Sequence, residues 1–164
     1  MSEIHHHIIL NSMTQSDLAR KNQHDENYRQ LFSTFPPSKV LVFNPIPGKD
    51  VNSGVLEIAS EYDVEPQEVR IEGVQANENW TREELETKPH RILSQMIDGW
   101  QKSDLERSKV IVTIVGGTTL HSSLLLVFSR IIEADVVLNE GNQEKPHYSK
   151  QSWLSRVEQY TQIK

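Results

Sequence analysis

Val110-Ile111-Val112-Thr113-Ile114-Val115-Gly116-Gly117-Thr118-Thr119 is the stretch whose reading decides the fold. Its first six residues are almost continuously apolar and β-branched, the pattern of a central strand covered on both faces. Paired glycines and threonines follow at once. Leu120, Leu124, Leu125, Val127, Phe128, Ile131 and Ile132 then recur at helical spacing. A buried strand, a glycine turn and an apolar helix make up the repeating unit of a parallel α/β sheet.

Working outward, the same alternation appears on both sides. Residues 5–12 read as a strand that ends in Ile8-Ile9-Leu10 and closes on the polar Asn11-Ser12. Residues 14–35 permit a helix, stopped by Pro36-Pro37. Val40-Leu41-Val42-Phe43 is a second strand, Asn44 to Gly48 a turn, and Val51 to Tyr62 a helical face. Val69 to Val74 alternates like a strand, and Trp80 to about Leu105 carries apolar residues at helical spacing, as one helix or as two broken near Pro89. Val136-Val137-Leu138 is a further strand. The expectation is an α/β, Rossmann-like parallel sheet of about five strands with helices on both faces. It occupies residues 1–141, with 142–164 as a short C-terminal extension that Trp153, Leu154, Val157 and Tyr160 mark as helical.

Composition narrows the function classes. The 17 Lys+Arg against 23 Asp+Glu leave a formal charge of -6, which argues against a surface built to grip long nucleic acid. A local basic site is compatible with that balance. The absence of cysteine excludes disulfides, thiolate metal sites and thiol nucleophiles. No apolar stretch approaches the ~20 residues of a membrane span, and the amino terminus lacks the pattern of a secretory signal. A cytoplasmic location without membrane contact is expected.

If the strand order is 3-2-1-4-5, strands one and four are neighbours and the helices that follow them leave on opposite sides, which opens a crevice at their carboxyl ends. Asn11, Ser12, Met13 and Thr14 would then face Gly116, Gly117, Thr118, Thr119 and His121 across it. The two glycines remove side chains where backbone N–H groups can approach an anion, and the threonines add hydroxyl donors. The plain alternative is a tight strand-to-helix turn. The segment is neither a Walker loop nor a complete G-x-G-x-x-G fingerprint, which disfavours the usual nucleotide triphosphatase and dinucleotide sites. His5-His6-His7 suggests a metal, but alternate strand residues point to opposite faces and no acidic cluster accompanies them. Neither a metal nor another cofactor is expected. Glu83, Glu84 and Glu86 read as a solvated first helical turn.

The run from Val110 to Thr119, with its apolar helix and the strand Asp135 to Leu138, resembles the carboxyl-terminal half of the CRISPR-associated Rossmann fold (CARF) family, whose members commonly show a strand, Gly-Gly-Thr-Lys and a helix. The order from His7 through Phe43 to the long helix before Lys109 is also similar, so the likeness covers residues 5–141 in organisation. It implies a homodimer that binds cyclic oligoadenylate, the second messenger of type III CRISPR antiviral signalling, across its two-fold axis. Carried over by position, Gly116, Gly117 and Thr118 match the phosphate-facing loop, and Asn11 and Ser12 match the polar end of the first strand. Met13, Thr14, Asn44 and Thr119 lie near enough to join the ligand site, and Trp80 is the aromatic residue placed to stack on an adenine. Thr119 stands where the family often has lysine, so Lys49, His121 or Arg130 would have to supply the missing cation.

Some members of that family also cut the ring. Such a cleavage uses the ribose 2′-hydroxyl and needs positioning more than metal. Here Ser12 would orient the hydroxyl and His121 would exchange the proton. The expected activity is therefore that of a metal-independent ring nuclease, since few residues remain after the fifth strand for a separate effector. Two alternatives stand beside it: a non-catalytic sensor acting on a partner protein, and a Rossmann-like domain for another nucleotide or phosphorylated metabolite.

Overall fold

The apolar, β-branched runs become the strands, and turn residues separate them from helices. The computed structural model comprises β1 (His5–Leu10), α1 (Lys21–Thr34), β2 (Pro37–Asn44), α2 (Gly54–Glu61), β3 (Gln67–Arg70), α3 (Arg82–Lys102), β4 (Val110–Val115), α4 (Thr119–Ile131), β5 (Asp135–Asn139) and β6 (His147–Ser149). The structure describes residues 5–10, 21–44, 54–72, 81–115, 119–139 and 147–149. One sheet contains all the strands, in the order β3-β2-β1-β4-β5-β6. The first five are parallel, with Ile9 opposite both Val42 and Thr113, while β6 runs antiparallel to β5. This is the α/β, Rossmann-like arrangement, and the strand order is the one that places β1 beside β4.

Alternation along each strand divides the core between two layers. Ile9, Val40, Val42, Ile111 and Val137 pack under α1 and α2 with Leu31, Phe32, Val55 and Ile58. Ile8, Leu41, Phe43, Val112 and Val136 pack on the other face under α3 and α4 with Ile92, Met96, Leu124 and Phe128. The central strands are therefore apolar on both sides, which is why their sequence reads as continuous rather than alternating.

Helix ends follow local chemistry. Thr81 caps α3 in a capping box: its hydroxyl accepts from the Glu84 N–H, and the Glu84 carboxylate accepts from the Thr81 N–H. The helix then continues through Pro89, which lies in its exposed half where water can satisfy the carbonyl that loses its partner. One long helix, rather than two, results. Among the described residues no helix is long and apolar enough to cross a membrane.

The strand β6 has no counterpart among the strands expected from sequence. Its three residues, His147-Tyr148-Ser149, carry no apolar run and are held by backbone pairing to Val136, Val137 and Leu138. The expected terminal helix with Trp153, Leu154, Val157 and Tyr160 lies outside the described residues.

Candidate ligand site at the switch point of the sheet

β1 and β4 lie side by side in register, His6 opposite Val110 and Ile9 opposite Thr113, so their carboxyl ends emerge together. α1 then covers one face of the sheet and α4 the other. The chain direction thus diverges between these two strands, which is the position where ligands of open α/β sheets sit. Gly116, Gly117 and Thr118 are the three residues between the end of β4 and Thr119, which opens α4. They lie outside the described residues, as do Asn11, Ser12, Met13, Thr14, Lys49 and Trp80. What the structure describes is that the strands ending at Leu10 and Val115 are neighbours.

His121 is the third residue of α4 and only 4% exposed. It shares the sheet-facing side with Leu124, Leu125 and Phe128, spaced three, four and seven residues on. Burial lowers the imidazole pKa from its ordinary 6.5 and so favours the neutral ring. A neutral ring can accept a proton.

Asn44 ends β2 at the same edge of the sheet. Its side chain is buried and its Nδ2 donates to Glu68 Oε1 at 2.7 Å, while its carbonyl accepts from the Ile71 N–H at 3.1 Å. These bonds extend the β2–β3 pairing past the last residue of β3. Arg130, one of the residues considered for the missing cation, belongs to the last turn of α4. Eleven residues of helix, ~16 Å, separate it from Thr119, and it stands at the opposite end of the sheet. It is not the replacement for the missing lysine.

The histidines of β1 divide as strand geometry requires. His7 is fully buried on the α1 face, where its Nε2–H donates to the Phe35 carbonyl at 2.7 Å and its Nδ1 lies 2.8 Å from the Thr113 hydroxyl. A carbonyl can only accept, so Nε2 carries a proton. Phe32 packs edge-on against the ring with centroids 4.9 Å apart. His6 points to the other face and bonds Ser38 through Nδ1 at 2.6 Å. Burial, with Lys39 adding to it, lowers its pKa.

Gln95 belongs to no sequence motif, yet it fixes the exit from β3. Its Oε1 accepts from the Glu72 N–H at 2.7 Å and its Nε2 donates to the Glu72 carbonyl at 2.9 Å, so one side-chain amide completes both backbone groups of that residue. The signal available in the sequence is polar: Glu84, Lys88, Arg91 and Gln95 recur along one side of a helix at positions where a core-facing helix would carry apolar residues.

No family model matches the sequence, and no curated protein does. Among solved structures the chain is similar to Can2 from Sulfobacillus thermosulfidooxidans in complex with cyclic tetra-adenylate, with a TM-score of 0.52 and 12% identity over 87% of this chain and 34% of that one. It is also similar to Csm6 of Enterococcus italicus bound to cyclic hexa-2′-fluoro-hexa-dAMP, with a TM-score of 0.47 and 11% identity over 98% of this chain and 40% of that one. The chain thus spans about a third of the length of Can2 and two fifths of that of Csm6. The first likeness is one of fold, and it agrees with the α/β, Rossmann-like sheet and the 3-2-1-4-5 order of its parallel strands.

Proposed function

We propose that this chain binds cyclic oligoadenylate above the carboxyl ends of β1 and β4 and opens the ring without metal. The observation that carries the reading is the switch point itself: β1 and β4 are neighbours, α1 and α4 leave on opposite faces, and the glycine-rich connection joins β4 to α4. Gly116, Gly117 and Thr118 offer amide donors to a phosphate, Asn11 and Ser12 hold the sugar side, and Trp80 stacks on an adenine. The complex of Can2 with cyclic tetra-adenylate supports this choice among the ligands such a crevice accepts.

A two-fold ligand suits a two-fold dimer, in which each protomer contributes one equivalent loop. Val127 and Ile131, one turn apart on α4, are 47% and 49% exposed. α4 starts at the ligand loop, so an axis through the ligand brings this apolar side of the helix against its counterpart in a second copy.

In the cleavage step the 2′-hydroxyl oxygen attacks its own phosphorus, its proton passes to a base, and the 5′-oxygen of the next nucleotide leaves and is protonated. A 2′,3′-cyclic phosphate remains. His121, kept neutral by burial, is the base in this scheme and Ser12 orients the hydroxyl. The position of His121 on the sheet-facing side of α4 favours a second reading, in which the chain holds the messenger intact and passes the signal to a partner protein.

The test uses cyclic tetra- and hexa-adenylate in EDTA, with retention measured by calorimetry and products resolved by chromatography. Retention of either ring with linear products ending in a cyclic phosphate is the expected result. Retention without products selects the sensor, and retention of neither ring overturns the reading. Gly117→Asp, which sets a carboxylate where a phosphate should approach, is expected to abolish binding while leaving the melting temperature unchanged.

A further inference from the structure

Helix α3 is longer than the sheet it covers. Gly99 lies against Val69 of β3, so closely that a Cβ at Gly99 would sit 2.7 Å from Val69 Cγ1. Gln95 is level with Glu72, two residues beyond the end of β3. The helix runs opposite to the strands, so its amino-terminal part, before Ile92, extends past the end of β3. From Gln95 back to Arg82 there are 13 residues, ~20 Å of helix. Burial agrees, since Ile92 is the first buried residue of α3.

Among the described residues, no position of α3 before Ile92 is buried. This overhang is held, among the described residues, by the capping box at Thr81, the Lys88–Glu84 ion pair at 3.6 Å, the Gln95–Glu72 clamp and the packing of Ile92. An open groove of about 850 Å³ runs along Glu72, Lys88, His90, Arg91, Ile92 and Gln95. That is the size of a small-molecule site. Lys88, Arg91 and Gln95 follow one another at three and four residues and so share one side of the helix. Lys88 and Arg91 set two cations on this groove, with Glu84 paired to Lys88 and Glu72 lining the same groove. The sheet order puts β3 three strand spacings, ~14 Å, from β4, a distance that a ring of several nucleotides spans.

Resting on the function proposed above, the geometry points to the overhanging half of α3 as a second wall of the ligand site, with Lys88 and Arg91 contacting phosphates of the ring distant from the Gly116–Thr118 loop. The cation that Thr119 does not supply comes from a different helix. Glu72, on the same groove, opposes the anion and sets an upper limit on the affinity.

The test compares the full chain with Lys88→Gln/Arg91→Gln, Arg91→Lys and Glu72→Gln, using the same two cyclic oligoadenylates across a salt series. The double variant is expected to bind about tenfold more weakly, as loss of charge-assisted phosphate contacts implies, and to depend less steeply on salt. Arg91→Lys retains most of the affinity, and Glu72→Gln binds two- to threefold more tightly, a gain that loss of a structural contact would not produce. Melting temperatures recorded alongside separate loss of contact from loss of fold. If the folded double variant binds with the wild-type affinity and salt slope while Gly117→Asp abolishes binding, α3 is not a wall of the site and the proposed function stands. If the wild-type chain retains neither ring, the function falls and this inference falls with it.

Discussion

The two faces of the sheet are finished to different degrees. Under α1 and α2 the packing is aromatic and closed: Phe32 is fully buried against His7, Tyr28 and Tyr62, and both ring nitrogens of His7 lie within hydrogen-bond distance of partners. The Tyr28 phenol, buried near Asp25, titrates well above its ordinary range. Outside this layer, Arg29 joins α1 to α2 by forked bonds to Glu61 at 2.8 Å. The α3 and α4 side is mainly aliphatic, leaves Val127 and Ile131 open, and extends α3 beyond the sheet. Both faces carry a buried core, and the second also presents exposed apolar residues and a helix that runs past the strand it covers. If the chain binds cyclic oligoadenylate as proposed, ligand contacts and the dimer surface both belong to the second face.

The largest expected effect tests the first half of that contrast. Phe32→Ala removes a ring from the closed layer and leaves a cavity among His7, Tyr28 and Tyr62, at a cost of about 3–5 kcal/mol. Against a typical domain stability of about 5–15 kcal/mol, that is a large fraction of the total. Urea unfolding should show it as a shifted midpoint with little change in slope. At low temperature, where the variant is folded, ligand affinity should be unchanged. A Phe32→Ala protein that keeps its stability but loses ligand would reverse the roles assigned to the two faces.

What can be read from the sequence divides along physical lines. β4 is expected at 110–115 and is found there, because a strand buried on both faces leaves a continuous β-branched run. β2 starts at Pro37, earlier than its apolar core at Val40, since backbone pairing to β1 carries it through Ser38 and Lys39. β3 reads as 69–74 in the sequence and is found at 67–70; its side chains alternate between partly buried and exposed, a weak pattern for fixing an end. β6 leaves no apolar pattern in the sequence, and its place is given by its antiparallel pairing to β5. The switch point follows from strand order, which the sequence expects and the structure has. The clamp at Glu72 and the overhang of α3 are not legible, because both depend on where a helix sits along the sheet, which periodicity does not encode.

A smaller effect probes the second face, at the point that sets the position of α3. Gly99→Ala places a methyl group 2.7 Å from Val69 Cγ1, and a valine on a strand has little freedom to move aside. Overpacking costs about 1–3 kcal/mol. Alanine recovers about 1 kcal/mol over glycine in a helix interior. A net loss of about 1 kcal/mol is expected by thermal or urea unfolding. Adding Val69→Ala restores the space, so the double variant should fall short of the sum of the single losses. Stabilisation by Gly99→Ala alone would mean that α3 is free to lift from β3, and the fixed overhang would lose its support.

The smallest effect concerns His121 and is read from pH. Burial lowers its folded-state pKa below the ordinary 6.5, so as pH falls through that value the unfolded chain takes up a proton before the folded chain does. Unfolding then binds protons, and stability must fall as the solution is acidified, until the folded-state pKa is also passed. Above 6.5 this group contributes no slope. His6 shifts in the same direction, and its slope adds to that of His121 in the wild type. Comparing the wild type with His121→Leu removes the shared contribution, because His6 is present in both. The melting temperature of the variant should decline less between pH 7.5 and 5.5, leaving the slope of His6 and the carboxylates. Equal declines would mean that the imidazole is as well solvated in the folded chain as in the unfolded one. It would then lie open on the ligand side of α4, and the sensor reading would lose the observation that favours it.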